Sequence, residues 1–253
     1  ILFSYANTLN SPLNFDDHAV LQQIELSGLN AYHQIPPIQY RHLFFLSFSL
    51  NHSQNGLELF AYHLVNITFH FLTSLVLLLI VFFTLDNGTS WQGKHALGIA
   101  GLTAILFTIN PLNTEAVTYI SGRASGMAGF FYLLAMLSFI FGSLKKFSGK
   151  NIPFYAFALT AFTAALLSKE TTLTLPAVII LYDLCFMKNA HWVSFKNRIV
   201  FLYLPIVFAL LALLFFLPSF PPFCQSFCLP PPAPYMSQPA CLRMQPLTCT
   251  TRL

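Results

Sequence analysis

Charge is the scarcest property of this chain: only 8% of its 253 residues are Asp, Glu, Lys or Arg, with eight carboxylates against twelve basic side chains. Soluble domains carry about a quarter of their residues as charge, so a water-solvated fold is excluded. The basic residues stand in ones and twos between apolar stretches and form no patch, which excludes a nucleic-acid partner. Cysteine is equally uninformative. Cys224, Cys228, Cys241 and Cys249 fall in the last 36 residues and only Cys185 lies in the apolar body, so no redox or metal-ligand spacing emerges. Alternation of apolar and polar residues is also missing, and with it the pattern of membrane strands.

What remains is 56% hydrophobic residues and a mean hydropathy of +0.65. A helix needs roughly 20 apolar residues to cross the hydrocarbon core, about 17 as a lower limit. That ruler selects Phe60–Thr84, His95–Asn110, Ser125–Leu144, Ile152–Ser168, Thr171–Met187 and Ile199–Leu217. The expected fold class is therefore all-α, a polytopic transmembrane helical bundle with six spans over residues 60–217. The sequence opens on Ile1 rather than Met, and residues 1–9 read as the end of a first transmembrane helix. From Pro218 to Leu253 nine of the sixteen prolines accumulate without helical periodicity, the pattern of a disordered or frame-shifted tail. The chain is thus expected to be truncated at both ends.

Basic residues in short connections mark the cytoplasmic side. Placing Lys94, Lys145, Lys146, Lys150, Lys188, Lys196 and Arg198 there leaves Arg41, Arg123 and Lys169 outside. Under this topology residues 10–59 form a long outer loop, and Asp16, Asp17, Glu25, Glu58, Glu115 and Glu170 join it on the outer face. Acidic residues contribute little to orientation, so their asymmetry is a separate sign that the outer face binds something or does chemistry.

Four constellations can carry that chemistry. Asp16 and Asp17, in Asn14-Phe15-Asp16-Asp17-His18, can accept a proton from a hydroxyl or hold a divalent cation. Glu115 and Arg123 flank a second outer turn, where the alternatives are a helix-stitching ion pair and a phosphate contact through the arginine fork. In the tight turn Ser168-Lys169-Glu170 the lysine either snorkels to head groups or contacts phosphate. Finally His63, Asn66, His70 and Ser74 recur at helical spacing on one face, which either bonds neighbouring helices or lines a cavity. Metal ligation by His63 and His70 is the weaker option, since no third ligand shares the face.

In series, Asn14–His18, Pro37–Asn51 (PIQYRHLFFLSFSLN), Tyr62–His70 (YHLVNITFH), Pro111–Ala135 (PLNTEAVTYISGRASGMAGFFYLLA) and Leu166–Asp183 (LLSKETTLTLPAVIILYD) resemble the membrane half of the tetratricopeptide-repeat O-mannosyltransferase family and its bacterial relatives. The resemblance implies a GT-C-like fold and transfer of a sugar, mannose in eukaryotes, from a polyprenyl or dolichyl phosphate carrier to a protein hydroxyl on the lumenal or periplasmic side. It implies inversion at the sugar carbon, a catalytic acid in the first outer loop matching Asp16 and Asp17, and phosphate contacts matching Arg123, Arg41 and Lys169, with Glu115 and Glu170 beside them. The implied partners are a lipid-linked sugar donor, a protein acceptor and membrane lipid. The implied location is a multi-pass protein of the endoplasmic reticulum or bacterial inner membrane. The repeats themselves are missing, so two other readings stay open: a non-catalytic scaffold or truncated gene product, and a transporter whose path is lined by His63, Asn66 and His70.

Overall fold

A computed structural model describes residues 5–14, 16–18, 20–21, 41–89, 92–144 and 151–186. The expectations for Glu25, Ile199–Leu217 and the tail from Pro218 fall outside these residues. The described residues are mostly helical, with no strand among them. A 3-10 turn at Ala6–Asn10 precedes α1 (His42–Asn55), α2 (Leu59–Gly88) and α3 (Lys94–Ile109). A short 3-10 turn, Pro111–Asn113, leads into α4 (Thr114–Thr118), followed by α5 (Arg123–Ser143) and α6 (Ile152–Leu166). A second 3-10 turn, Glu170–Thr174, opens α7 (Leu175–Phe186).

Two of these helices, α2 and α5, are long and apolar enough to cross a membrane, and the bent pair formed by α3 and Pro111–Thr118 makes a third if it is one span. Five of the six expected spans fall among the described residues, and two or three crossing helices are found there by length and composition. Residues 152–168 and 171–187 read as spans by composition, yet α6 has 15 residues and α7 12. α6 gives way to a turn at Leu167 and Ser168, where the N–H groups of Ser168 and Lys169 both donate to the Ala165 carbonyl at 3.0 Å. Pro176 then sits in the first turn of α7, where its missing N–H costs nothing.

Antiparallel packing places the ends of the helices in two groups. α2 and α5 begin, and α3 and α6 finish, at the end where Arg41, Glu115, Arg123, Lys169 and Glu170 lie. Asp86 marks the opposite end, accepting from the Gly93 N–H just before α3 at 2.9 Å. Small residues bring the helices close: Ala96, Ala100 and Ala104 form the buried edge of α3, and Ala158, Ala161 and Ala165 that of α6. This is how membrane helices gain van der Waals contact when lipid is as apolar as their side chains. The main core runs through Val76, Ile80, Phe139, Ile140, Tyr155, Phe162 and Ile179. A second cluster of Leu21, Phe44, Phe45, Phe48, Tyr62, Ile120 and Ala124 lies under the polar end.

Two glycines shape that end. Gly56 has φ +58°, the left-handed conformation that turns α1 into α2, and its carbonyl accepts from the Tyr62 hydroxyl. Gly122 is needed for a different reason: a Cβ there would overlap the Glu115 carbonyl oxygen and lie 3.0 Å from that of Tyr119. Gly122→Ala is therefore expected to destabilise the protein by about 1–3 kcal/mol, the usual range for overpacking, read as a lowered melting midpoint in detergent. An unchanged midpoint would show that the turn relaxes freely.

Candidate functional site

Arg123, the first residue of α5, organises the polar end from inside. It is 1% exposed. Its Nε donates to Asn66 Oδ1 at 2.9 Å, and Nη2 donates to Asn51 Oδ1 at 3.1 Å and to the Tyr62 carbonyl at 3.0 Å. Nη1 reaches the Ser47 carbonyl at 3.4 Å. The guanidinium carbon lies 4.2 Å from the Phe48 ring centroid and 5.4 Å from that of Tyr62. Neutral acceptors and two aromatic faces thus hold the charge, a combination favoured where water is excluded. Glu115, on exposed α4, makes no ion pair with it among the described residues.

The sequence singled out neither Asn51 nor Ser47 as a partner. The signal was present only in their spacing, four apart and so on one face of α1.

The two adjacent aspartates have different surroundings. Asp17 is fully buried: its Oδ1 accepts from the Ser121 N–H at 2.8 Å and its Oδ2 from the Asn14 N–H at 3.2 Å. It fastens its loop to the turn before α5. Asp16 is exposed and its carboxylate has no partner among the described residues. A carboxylate in that state can accept a proton, and its neighbour's anchorage fixes where it does so.

The polar face of α2 supports the same arrangement. His63, Asn66, His70 and Ser74 are all buried. His63 Nε2 lies 3.2 Å from the Ser11 carbonyl, and because a carbonyl only accepts, Nε2 carries the proton. His70 Nε2 donates in the same way to the Thr108 carbonyl at 3.3 Å, and its ring stacks on Phe107. Asn66 Nδ2 donates to the Tyr119 carbonyl at 2.9 Å. Ser74 turns back onto the Phe71 carbonyl. Of the two alternatives for this face, the geometry is that of bonding to neighbouring elements.

The remaining cations lie across the same end. Arg41 and Glu170 approach to 3.9 Å while both are about half exposed, a geometry worth little in water. The α1 backbone is held more firmly, by the Leu43 N–H donating to the Leu167 carbonyl at 3.0 Å. Lys169 Nζ donates to Ser125 Oγ at 2.8 Å. It borders a cavity of about 230 Å³ between α5 and the Glu170–Thr174 turn, lined also by Ala128, Gly129, Tyr132 and Thr172. Among the described residues no group of three or more His, Cys, Asp or Glu is gathered for a metal ion.

Comparison with known proteins locates this arrangement. Human "Protein O-mannosyl-transferase TMTC1" is 37% identical over 156 residues, 59% of this chain and 17% of the human protein. Human "Protein O-mannosyl-transferase TMTC3" is 33% identical over 146 residues, 57% of this chain and 14% of that protein. "Protein O-mannosyl-transferase Tmtc1" of Drosophila melanogaster is 33% identical over 196 residues, 72% of this chain and 21% of the fly protein. The chain thus spans about a fifth or less of the length of these curated relatives. No family model and no solved structure matches. With an all-α bundle, membrane-length helices and this extent of identity, the chain is a relative of the TMTC protein O-mannosyl-transferases.

Proposed function

We propose that this chain carries the outward-facing part of a protein O-mannosyltransferase that takes mannose from a dolichyl phosphate carrier and passes it to a hydroxyl of a protein. The observation that carries this reading is the pairing of an exposed carboxylate, Asp16, with a buried neighbour, Asp17, that is bonded from two sides. The acceptor oxygen forms a bond to the sugar C1 as the C1–O bond to phosphate breaks. Asp16 takes the acceptor proton, and the phosphate leaves with the electron pair. Attack from the face opposite the phosphate inverts C1. The bundle end bearing these groups faces the lumen of the endoplasmic reticulum, and the chain is a multi-pass protein of that membrane; the animal sources of the relatives favour this compartment over a bacterial one. The buried, bonded polar face of α2 favours an interfacial reaction over a transport path.

The test is reconstitution of the full-length protein in liposomes with a membrane acceptor fraction and tritiated dolichyl phosphate mannose. Label is expected on protein. Transfer from a nucleotide-linked mannose instead, or none from the lipid donor, overturns the reading.

Lys169 and its cavity are our assignment for the donor phosphate. Bonds from a charged group are worth about 1.5–3 kcal/mol, so Lys169→Met is expected to raise the donor KM about tenfold or more with little change in kcat. A donor KM equal to that of the parent in the same liposome assay removes Lys169 from the donor site.

A further inference from the structure

A series of hydrogen bonds, joined by short backbone segments, leads from the interior of the bundle to Asp17, the neighbour of the exposed carboxylate. Arg123 only donates, so the Asn66 atom facing its Nε must be the carboxamide oxygen, and the Asn66 nitrogen is left to donate to the Tyr119 carbonyl. Tyr119 opens the turn whose Ser121 N–H holds Asp17. Asp17 holds the Asn14 N–H, and the same short stretch carries Asp16. Asn66 is 2% exposed and Asp17 fully buried. Each bond therefore has one partner shielded from water, with a half-buried backbone group opposite it.

We propose that Asn66 is a positioning residue for the transfer reaction, converting the fixed location of the Arg123 guanidinium into the fixed location of the Tyr119–Ser121 turn and, through Asp17, of Asp16. This rests on the assignment of Asp16 as the base. Asn66 touches no reacting atom. Its role is to keep the base within reach of the acceptor hydroxyl, and misplacement of a catalytic group by about 1 Å costs on the order of a hundredfold.

Asn66→Asp separates this role from a merely structural one. The new carboxylate keeps an oxygen toward Arg123, where charge strengthens the bond. It has no proton for the Tyr119 carbonyl, and an acceptor now faces an acceptor at 2.9 Å. In the full-length protein with tritiated dolichyl phosphate mannose, N66D is expected to keep its donor KM and to lose only part of its melting midpoint, the stronger bond to Arg123 offsetting some of the repulsion, while kcat of the folded protein falls about tenfold to a hundredfold. A structural role alone predicts that kcat follows the midpoint, so parent-like kcat in N66D overturns the inference. Asp17→Ala cuts the same series at its far end, away from the helix packing, and is expected to reproduce the kcat loss. Parent-like kcat in D17A overturns the inference whether or not N66D folds. The two losses are expected not to add in the double variant, because both release one turn, and strictly additive losses count against it. Activity surviving in an Asp16→Asn variant would instead remove the base assignment, an outcome distinct from a failure of Asn66 alone.

Discussion

Asp16→Asn is expected to lower mannose transfer by about a hundredfold to ten-thousandfold, the range by which a positioned general base accelerates a reaction. The melting midpoint should not move, because the Asp16 carboxylate is exposed and bonds to none of the described residues. Asparagine has nearly the same shape and cannot take the acceptor proton, so the loss falls on kcat. Asp17→Asn has the same change in chemistry and a different expected result. The carboxamide it introduces can still accept from the Ser121 N–H through its oxygen, but its NH₂ then faces the Asn14 N–H, donor against donor. The loop loosens and part of the activity is lost. The measurement is kcat and melting midpoint for both variants side by side. Equal losses in the two, or full activity in D16N, would contradict the division of roles.

Arg123→Ala should have the largest effect on stability. The substitution removes donors from Asn66 Oδ1, Asn51 Oδ1 and the Tyr62 carbonyl, in a site that water does not reach. Each buried acceptor left without a partner costs about 1–3 kcal/mol. The void between Phe48 and Tyr62 adds to this. A total of about 3–5 kcal/mol is expected, enough to lower the melting midpoint in detergent by many degrees. Arg123→Lys should recover only a part, since an ammonium cannot reproduce the planar fork that meets acceptors from α1 and α2 at once. Equal midpoints for the lysine variant and the parent would show that charge alone, without the fork, sustains the site.

The elements legible in the sequence are those set by local pattern. The existence of α2 and α5 follows from long, predominantly apolar runs, and the buried face of α2 from the spacing of His63, Asn66 and His70. What the pattern could not supply is set by contacts distant in sequence. Nothing in the adjacent pair Asp16-Asp17 says which carboxylate is held, because the answer comes from Ser121, 104 residues away. Arg123 reads as a surface phosphate contact when only its own turn is considered. Its acceptors on α1 and α2, 57 to 76 positions earlier, draw it inward.

The lengths of neighbouring helices carry one more consequence. α2 has 30 residues and α3 16, about 45 Å against about 24 Å of axial rise, around a hydrocarbon layer of roughly 30 Å. No single bilayer thickness suits both. α2 must lean or protrude, while α3 falls short of a span unless the bent segment Pro111–Thr118 completes it. The large residues on the outer face of α3, Leu97, Leu102, Ile105, Leu106 and Ile109, are more than half exposed and would meet the lipid. A protein with such unequal neighbours meets the bilayer by tilt at one helix and local thinning at the other.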